Sequence, residues 1–236
     1  MNTLHIIDDN DYLDSIAQTW IQIAQQSIEK KDRFYVALSG GSTPKKLYQR
    51  LAQSPYVEQL DWSKVYFFFS DERCVPLDHA DSNYRMVNEA LFSKLDDCHI
   101  FPMIHQPEAP EEDAIFYCTQ LQLTLGEDAR FDLMMLGMGD DGHTASLFPN
   151  SPMLASHKRV DSNYEASKGN SRLSFTLHQL PQTHHSMVLI SGASKADMLS
   201  TVLADNASKD YPIVELMQHM NLEWYIDQSA AEKLPK

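Results

Sequence analysis

A histidine set among glycines is the first place in this sequence where chemistry is legible. Gly137-Met138-Gly139-Asp140-Asp141-Gly142-His143 directly follows the apolar run Phe131 to Leu136. An imidazole can take a proton near neutral pH, and a neighbouring carboxylate can fix its orientation. His143 is therefore a candidate general base and Asp141 its candidate partner, although residue types alone leave open whether Asp140 or Asp141 faces the ring. The chain has ten histidines, and a lone histidine is usually structural; the glycine turn singles out this one. The same glycines also spell G-x-G-x-x-G, and Asp161 follows at about the ~20-residue interval of a dinucleotide fingerprint. That NAD-binding reading is weak. Pro149 and Pro152 leave little room for the helix it requires, and two acids in the loop repel a pyrophosphate.

Other turns offer groups for an anion. Ser39-Gly40-Gly41-Ser42-Thr43-Pro44 runs into Lys45-Lys46-Leu47-Tyr48. Pro44 suits a first helical position and Ser42 or Thr43 the cap before it. Backbone N–H groups and two hydroxyls at such a start make a phosphate cradle of Gly40, Gly41, Ser42 and Thr43. Lysines in a first turn oppose the helix dipole by on the order of a few tenths of a kcal/mol, which a bound anion would offset. A tight capped turn with solvated lysines is the plainer alternative, and the pattern is not a Walker A loop. Asp71-Glu72-Arg73, with Asp81-Ser82-Asn83 soon after, ends the apolar run Val65 to Phe69. Such a run is commonly a surface ion-pair cluster. At the carboxyl edge of a parallel sheet, however, a carboxylate can bind sugar hydroxyls, and an arginine an anion or a developing oxyanion. Arg172 opens the strand-like segment Arg172 to Leu177. Lys195 follows Gly192, between Ser194 and Asp197, which have capping-box spacing. Each cation alone reads as a solvated side chain; their recurrence at turns of an acidic chain marks a local anion site.

The elements that must position these groups follow from hydrophobic patterning. Only eight glycines occur, and six fall just after three apolar runs: Phe34 to Leu38, Phe131 to Leu136 and Met187 to Ile190. Runs without polar alternation predict strands buried on both faces, each followed by a glycine turn and a helix start. That grammar places ligands beyond the carboxyl ends of strands in an α/β fold. Leu13, Ile16, Ala17, Trp20, Ile23, Ala24 and Ile28 predict an amphipathic helix over Asp11 to Glu29. Strands are expected at Leu4 to Ile7, Val65 to Phe69 and Leu222 to Ile226, and helices at Asn83 to Phe92 and Glu111 to Leu125. Gln106 to Asp113 reads as a loop, and Ser156 to Asn170 as a polar surface excursion. No internal repeat or long linker appears, so one domain over residues 1–236 is the simplest account.

Composition bounds the partners. With 19 Lys plus Arg against 33 Asp plus Glu, the formal net charge is −14, which disfavours nucleic acid and anionic membranes. No apolar run is long enough to span a bilayer and no signal-peptide pattern opens the chain. Three widely spaced cysteines without a CxxC or zinc pattern predict reduced thiols, no metal site and a cytoplasmic location.

Taken together, Ser39 to Pro44, Asp71 to Pro76 with Asp81 to Asn83, and Leu136-Gly-Met-Gly-Asp-Asp-Gly-His-Thr-Ala-Ser-Leu-Phe-Pro149 resemble the 6-phosphogluconolactonase family. The matching blocks run in family order from about Leu38 to Ala196. The resemblance implies a modified Rossmann-like three-layer α/β fold with a mostly parallel central sheet. It also implies no required cofactor, and hydrolysis of 6-phospho-D-glucono-1,5-lactone to 6-phosphogluconate in the oxidative pentose phosphate pathway; a monomer is the expected state. It makes His143 the base that activates water, Ser42, Thr43, Arg172 and Lys195 phosphate contacts, and places Asp71 and Arg73 near the sugar or lactone carbonyl. The family often has a proline-rich stretch before the arginine matching Arg172; Tyr164 to Ser171 contain none. Two rivals share the fold. Glucosamine-6-phosphate deaminases usually have Asp-Glu-Tyr in place of Asp71-Glu72-Arg73 and a glutamate where this chain has Phe148. A non-catalytic sugar-phosphate sensor would usually carry an added helix-turn-helix module, for which no basic segment is available.

Overall fold

The computed structural model describes residues 2–166 and 168–235. It opens with β1 (Thr3–Ile7) and α1 (Tyr12–Lys31), whose apolar stripe buries Ile16, Ala17, Trp20 and Ala24. Trp20 meets Phe34 edge-on and stacks on Trp62. The helix runs to Lys31, two residues beyond the predicted end, and stops at Asp32, which turns left-handed with φ 60° and donates its N–H to Ile28 O. β2 (Phe34–Leu38) is buried at every position and leads into α2 (Ser42–Leu51).

β3 (Val65–Phe69) shows why an apolar run becomes a central strand. Phe67 and Phe69 face Phe92, while Phe68, pointing the other way, packs on Phe101, Tyr117 and Phe131. Alternate side chains thus fill cores on both sheet faces, the condition for a parallel sheet covered on each side. The chain continues through β4 (Asp71–Arg73), α3 (Asn83–Ala90), β5 (His99–Ile100), α4 (Pro110–Leu125) and the fully buried β6 (Phe131–Leu136). Then come β7 (Val160–Glu165), β8 (Asn170–Phe175), β9 (Thr183–Ile190), α5 (Ala196–Val202), α6 (Pro212–Leu216), β10 (Glu223–Asp227) and α7 (Gln228–Ala231).

Seven strands form one sheet in the order β1-β10-β9-β6-β2-β3-β5, every pair parallel. With helices over it, this is a Rossmann-like three-layer α/β fold. From β2 the chain first builds outward through β3 and β5, then returns to β6 on the opposite side of β2. The strand order therefore reverses between β2 and β6, and a crevice opens beyond their carboxyl ends. The glycine turns after Leu38 and Leu136 both lie there.

A second, antiparallel sheet has the order β4-β8-β7. Two expectations are corrected by it. Asp71-Glu72-Arg73 is a strand rather than a charged surface turn: Asp71 and Glu72 are buried. The supposed excursion Ser156 to Asn170 contains β7, an edge strand whose half-solvated faces tolerate a polar sequence. A third correction concerns the turn after β6. No α-helix follows it; residues 137–151 form a loop with an isolated bridge between Thr144 and Leu147, then one 3₁₀ turn at Pro152–Ala155. The dinucleotide fingerprint thus lacks the helix it requires. No helix of the described residues is long and apolar enough to cross a membrane.

Candidate active site

Ten candidate site residues, Gly40, Gly41, Ser42, Thr43, Asp71, Arg73, Asp141, His143, Arg172 and Lys195, line one cleft of about 740 Å³ at the β2/β6 switch point. Each wall is built by a different local device.

The first turn is held from below by Tyr48 on α2, which donates its hydroxyl to Ser39 O at 2.8 Å and accepts Ser39 N–H at 3.1 Å. A β-carbon on Gly40 would lie 2.1 Å from Asn83 Oδ1, so any larger residue here would push the Asn83 side chain out of its place. Gly41 is the N-cap of α2 and makes no side-chain cap bond. The expected cap at Ser42 or Thr43 is therefore displaced by one or two positions: Ser42 and Thr43 are the first helical residues, with N–H groups that lack intrahelical acceptors. Lys45 and Lys46 do not line the cleft, which favours the solvated reading for both.

The second wall comes from β4 and β8. Register pairs Arg73 directly with Arg172, so two guanidinium groups share one face of a two-strand ladder. Arg172 is 8% exposed, and the Nε atoms of both arginines are buried without a protein partner. Burial, then the facing Arg73, pulls the Arg172 guanidinium below its ordinary value, opposed by the carboxylates of Asp71, Glu72 and Asp81. Arg73 also donates to Asp81 O. Asp71 accepts the Ser146 hydroxyl at 2.7 Å, tying β4 to the loop that carries His143.

Glu72 went unassigned in the sequence reading. It accepts N–H bonds from Arg73, Asn83 and Tyr84 at 2.7–2.8 Å and the Ser82 hydroxyl at 3.2 Å. It is a buried acceptor for the start of α3, which places Asn83 against Gly40. Burial is the larger influence and pushes its carboxyl up against those bonds.

The third wall holds the imidazole. His143 Nδ1 lies 2.5 Å from Asp141 Oδ1, and the His143 N–H donates to the same oxygen at 3.2 Å. Of the two acids, Asp141 bonds the ring, and Asp140 turns away to Lys195. Burial pushes Asp141 up, but its hydrogen bond with His143, aided by charge and backbone bonds, holds it below the usual carboxylate range. A β-carbon on Gly139 would lie 2.0 Å from Nδ1, so this glycine is required by the approach of the ring. Phe148 packs on the other side, centroids 4.5 Å apart. No described protein group bonds Nε2.

Lys195 lies in a 3₁₀ turn before α5 and donates to Met138 O at 3.0 Å and Asp140 Oδ1 at 2.5 Å. The expected Ser194–Asp197 capping box is not formed; Lys195 itself is the N-cap of α5, and Asp197 pairs with Lys233. Lys168 was missed. It lies in the β7–β8 turn, lines the cleft and places Nζ 5.8 Å from the Phe148 centroid. Only recognition of the β7–β8 hairpin could have signalled it. Among the described residues no cluster of His, Cys, Asp and Glu converges to hold a metal ion.

The family model for glucosamine-6-phosphate isomerases/6-phosphogluconolactonase matches residues 7–224. A 6-phosphogluconolactonase of Synechocystis is 38% identical over 216 residues, covering 89% of this chain and 88% of its own length. The solved 6-phosphogluconolactonase of Trypanosoma brucei superimposes with a TM-score of 0.82 at 27% identity, over 100% of this chain and 99% of the other. A monomeric glucosamine-6-phosphate deaminase superimposes with 0.81 at 23% identity, over 98% of this chain and 99% of its own. Fold alone therefore does not separate the two chemistries; the side chains beside the histidine must.

Proposed function

The chain belongs to the glucosamine-6-phosphate isomerase/6-phosphogluconolactonase family, and from that premise we propose that it hydrolyses 6-phospho-D-glucono-1,5-lactone to 6-phospho-D-gluconate, in the oxidative pentose phosphate pathway. The observation that carries this reading is the Asp141–His143 pair facing a cleft that also holds Arg73, Arg172 and Lys195.

A carboxylate at Nδ1 favours the tautomer with its proton there, leaving the Nε2 lone pair for a water molecule. His143 takes a proton from that water as its oxygen attacks the lactone carbonyl carbon. The adduct's oxyanion is stabilised by Arg73, with Asp71 beside the sugar hydroxyls. Collapse breaks the bond between that carbon and the ring oxygen, and the imidazolium returns its proton to the leaving oxygen. A lactone is an activated ester, so no covalent serine intermediate is needed, and no G-x-S-x-G elbow is present. The phosphate, held by Arg172, Lys195 and the Gly40-Gly41-Ser42-Thr43 turn, supplies remote binding energy that orients the ring.

Phe148 argues against the deaminase. It stands five positions after His143, where the deaminase family carries a glutamate, and it offers the imidazole an aromatic face instead of a carboxylate. We further propose that the protein works as a monomer in the cytoplasm, as one domain over residues 1–236, without cofactor, nucleic-acid or membrane partner. The cleft draws its walls from Ser39 through Lys195, which supports treating that span as one unit.

The test is consumption of the lactone, corrected for its spontaneous opening, with glucosamine 6-phosphate assayed in parallel. Turnover of the lactone alone is expected. Turnover of the amino sugar would favour the deaminase, and binding without hydrolysis the sensor.

A further inference from the structure

Lys195 meets an anion already present in the chain. Its ammonium has three donors; one is committed to Met138 O at 3.0 Å and one to Asp140 Oδ1 at 2.5 Å. The Asp140 side chain is 86% exposed, whereas that of Lys195 is 25% exposed. The neighbouring Asp141 is engaged by His143, so Asp140 is not needed to orient the imidazole. Met138 O keeps the lysine seated whether or not Asp140 stays.

We propose that Asp140 is an internal competitor for Lys195: its carboxylate occupies the ammonium and opposes any phosphoryl group that binds there, setting how tightly phosphorylated ligands are held. This rests on Lys195 being a phosphate contact, as argued above. A phosphoryl dianion approaching the same ammonium must displace the carboxylate or tolerate its charge. Swinging Asp140 into water costs little, because exposed ion pairs are weak, so the expected penalty on affinity is about two- to five-fold. The consequence for turnover is directional. Ester hydrolysis converts a neutral carbonyl into a carboxylate, and the product therefore carries one more negative charge than the substrate. A standing carboxylate at the mouth of the cleft opposes the product more than the substrate and favours its release.

The experiment is a double-mutant cycle with inorganic phosphate as the probe, titrated calorimetrically into the full chain and its D140N, K195M and D140N/K195M variants. D140N is expected to tighten phosphate by about two- to five-fold, K195M to weaken it, and D140N to add almost nothing once Lys195 is gone. A gain of affinity is a result that mere damage to the loop cannot produce. Equal tightening in both backgrounds would mean through-space repulsion without competition and would overturn the proposal. So would unchanged or weakened affinity in D140N, the latter making Asp140 a strut for the His143 loop. If K195M alone leaves phosphate binding intact, the assignment of Lys195 fails and the competition fails with it, a result distinguishable from failure of Asp140.

Discussion

Arg73 on β4 and Arg172 on β8 are directly opposed partners in one antiparallel ladder, and each has a buried Nε without a protein acceptor. Like charges opposite one another destabilise a strand pair; the carboxylates of Asp71, Glu72 and Asp81 offset part of that, and a bound anion would offset more.

Arg172→Met should therefore leave the free protein as stable as before, or slightly more so, while abolishing most of its response to phosphate. In the wild type, inorganic phosphate at about 100-fold over Kd should add about 2.7 kcal/mol of stability. Thermal unfolding with and without phosphate checks both halves. An undiminished phosphate response in the variant would remove Arg172 from the anion site.

Glu72→Ala should cost stability before it costs chemistry. It strips an acceptor from the Asn83 and Tyr84 N–H groups and the Ser82 hydroxyl at the start of α3, and from the Arg73 N–H on β4. Charged hydrogen bonds of this kind are worth about 1.5–3 kcal/mol, which for a chain of this size corresponds to a Tm lower by roughly 3–12 °C. Because α3 carries Asn83 against Gly40, KM should rise as well. A Tm within a degree of wild type would show that Glu72 is not the support for α3.

A third prediction concerns pH. His185 and Glu223 face each other at the amino ends of β9 and β10, Nδ1 to Oε1 3.4 Å. The hydrogen bond to Glu223, partly offset by burial, raises His185 above its ordinary 6.5. The same bond lowers Glu223 below its ordinary 4.5. The raised histidine contributes stability that is complete below 6.5 and lost as pH rises through its folded value. The lowered glutamate contributes stability present above 4.5 and lost as pH falls through its own folded value. Their joint contribution is thus largest between pH 4.5 and 6.5. Denaturant unfolding of wild type and Glu223→Gln should show the widest gap in that window, closing toward alkaline pH. A gap independent of pH would exclude the pair as its source.

Much of this was legible from glycine placement. With few glycines in the chain, those after Leu38 and Leu136 marked turns beyond buried strands, and the fold sets these turns side by side where β2 meets β6. The His143–Asp141 spacing likewise yielded the pair, though only packing could choose Asp141, because Asp140 is drawn off by a lysine more than fifty residues away in sequence. What escaped the sequence was polar and long-range. β4 is too short and charged to announce a strand, and its burial depends on pairing with β8. β7 is an edge strand with no apolar periodicity, so Lys168 at its turn had no local signal. Gly41 took the cap expected of Ser42 or Thr43 because the chain enters α2 at Ser42, two residues earlier than a first helical position at Pro44 would place it.

Asp141→Asn tests electrostatic support of the ring separately from its orientation. The amide preserves shape but no longer supports positive charge on the ring, so kcat should fall, by no more than the ~10²–10⁴-fold that general-base assistance supplies, with little change in phosphate affinity. Equal losses in turnover and phosphate binding would point to a displaced loop instead.

The most direct measurement is the rate of lactone consumption by His143→Ala, corrected for spontaneous opening, in a preparation whose thermal unfolding and phosphate binding match wild type. The account predicts a loss of about 10²–10⁴-fold in kcat, the scale of general-base assistance. Turnover near the wild-type rate in that folded, phosphate-binding variant would contradict it.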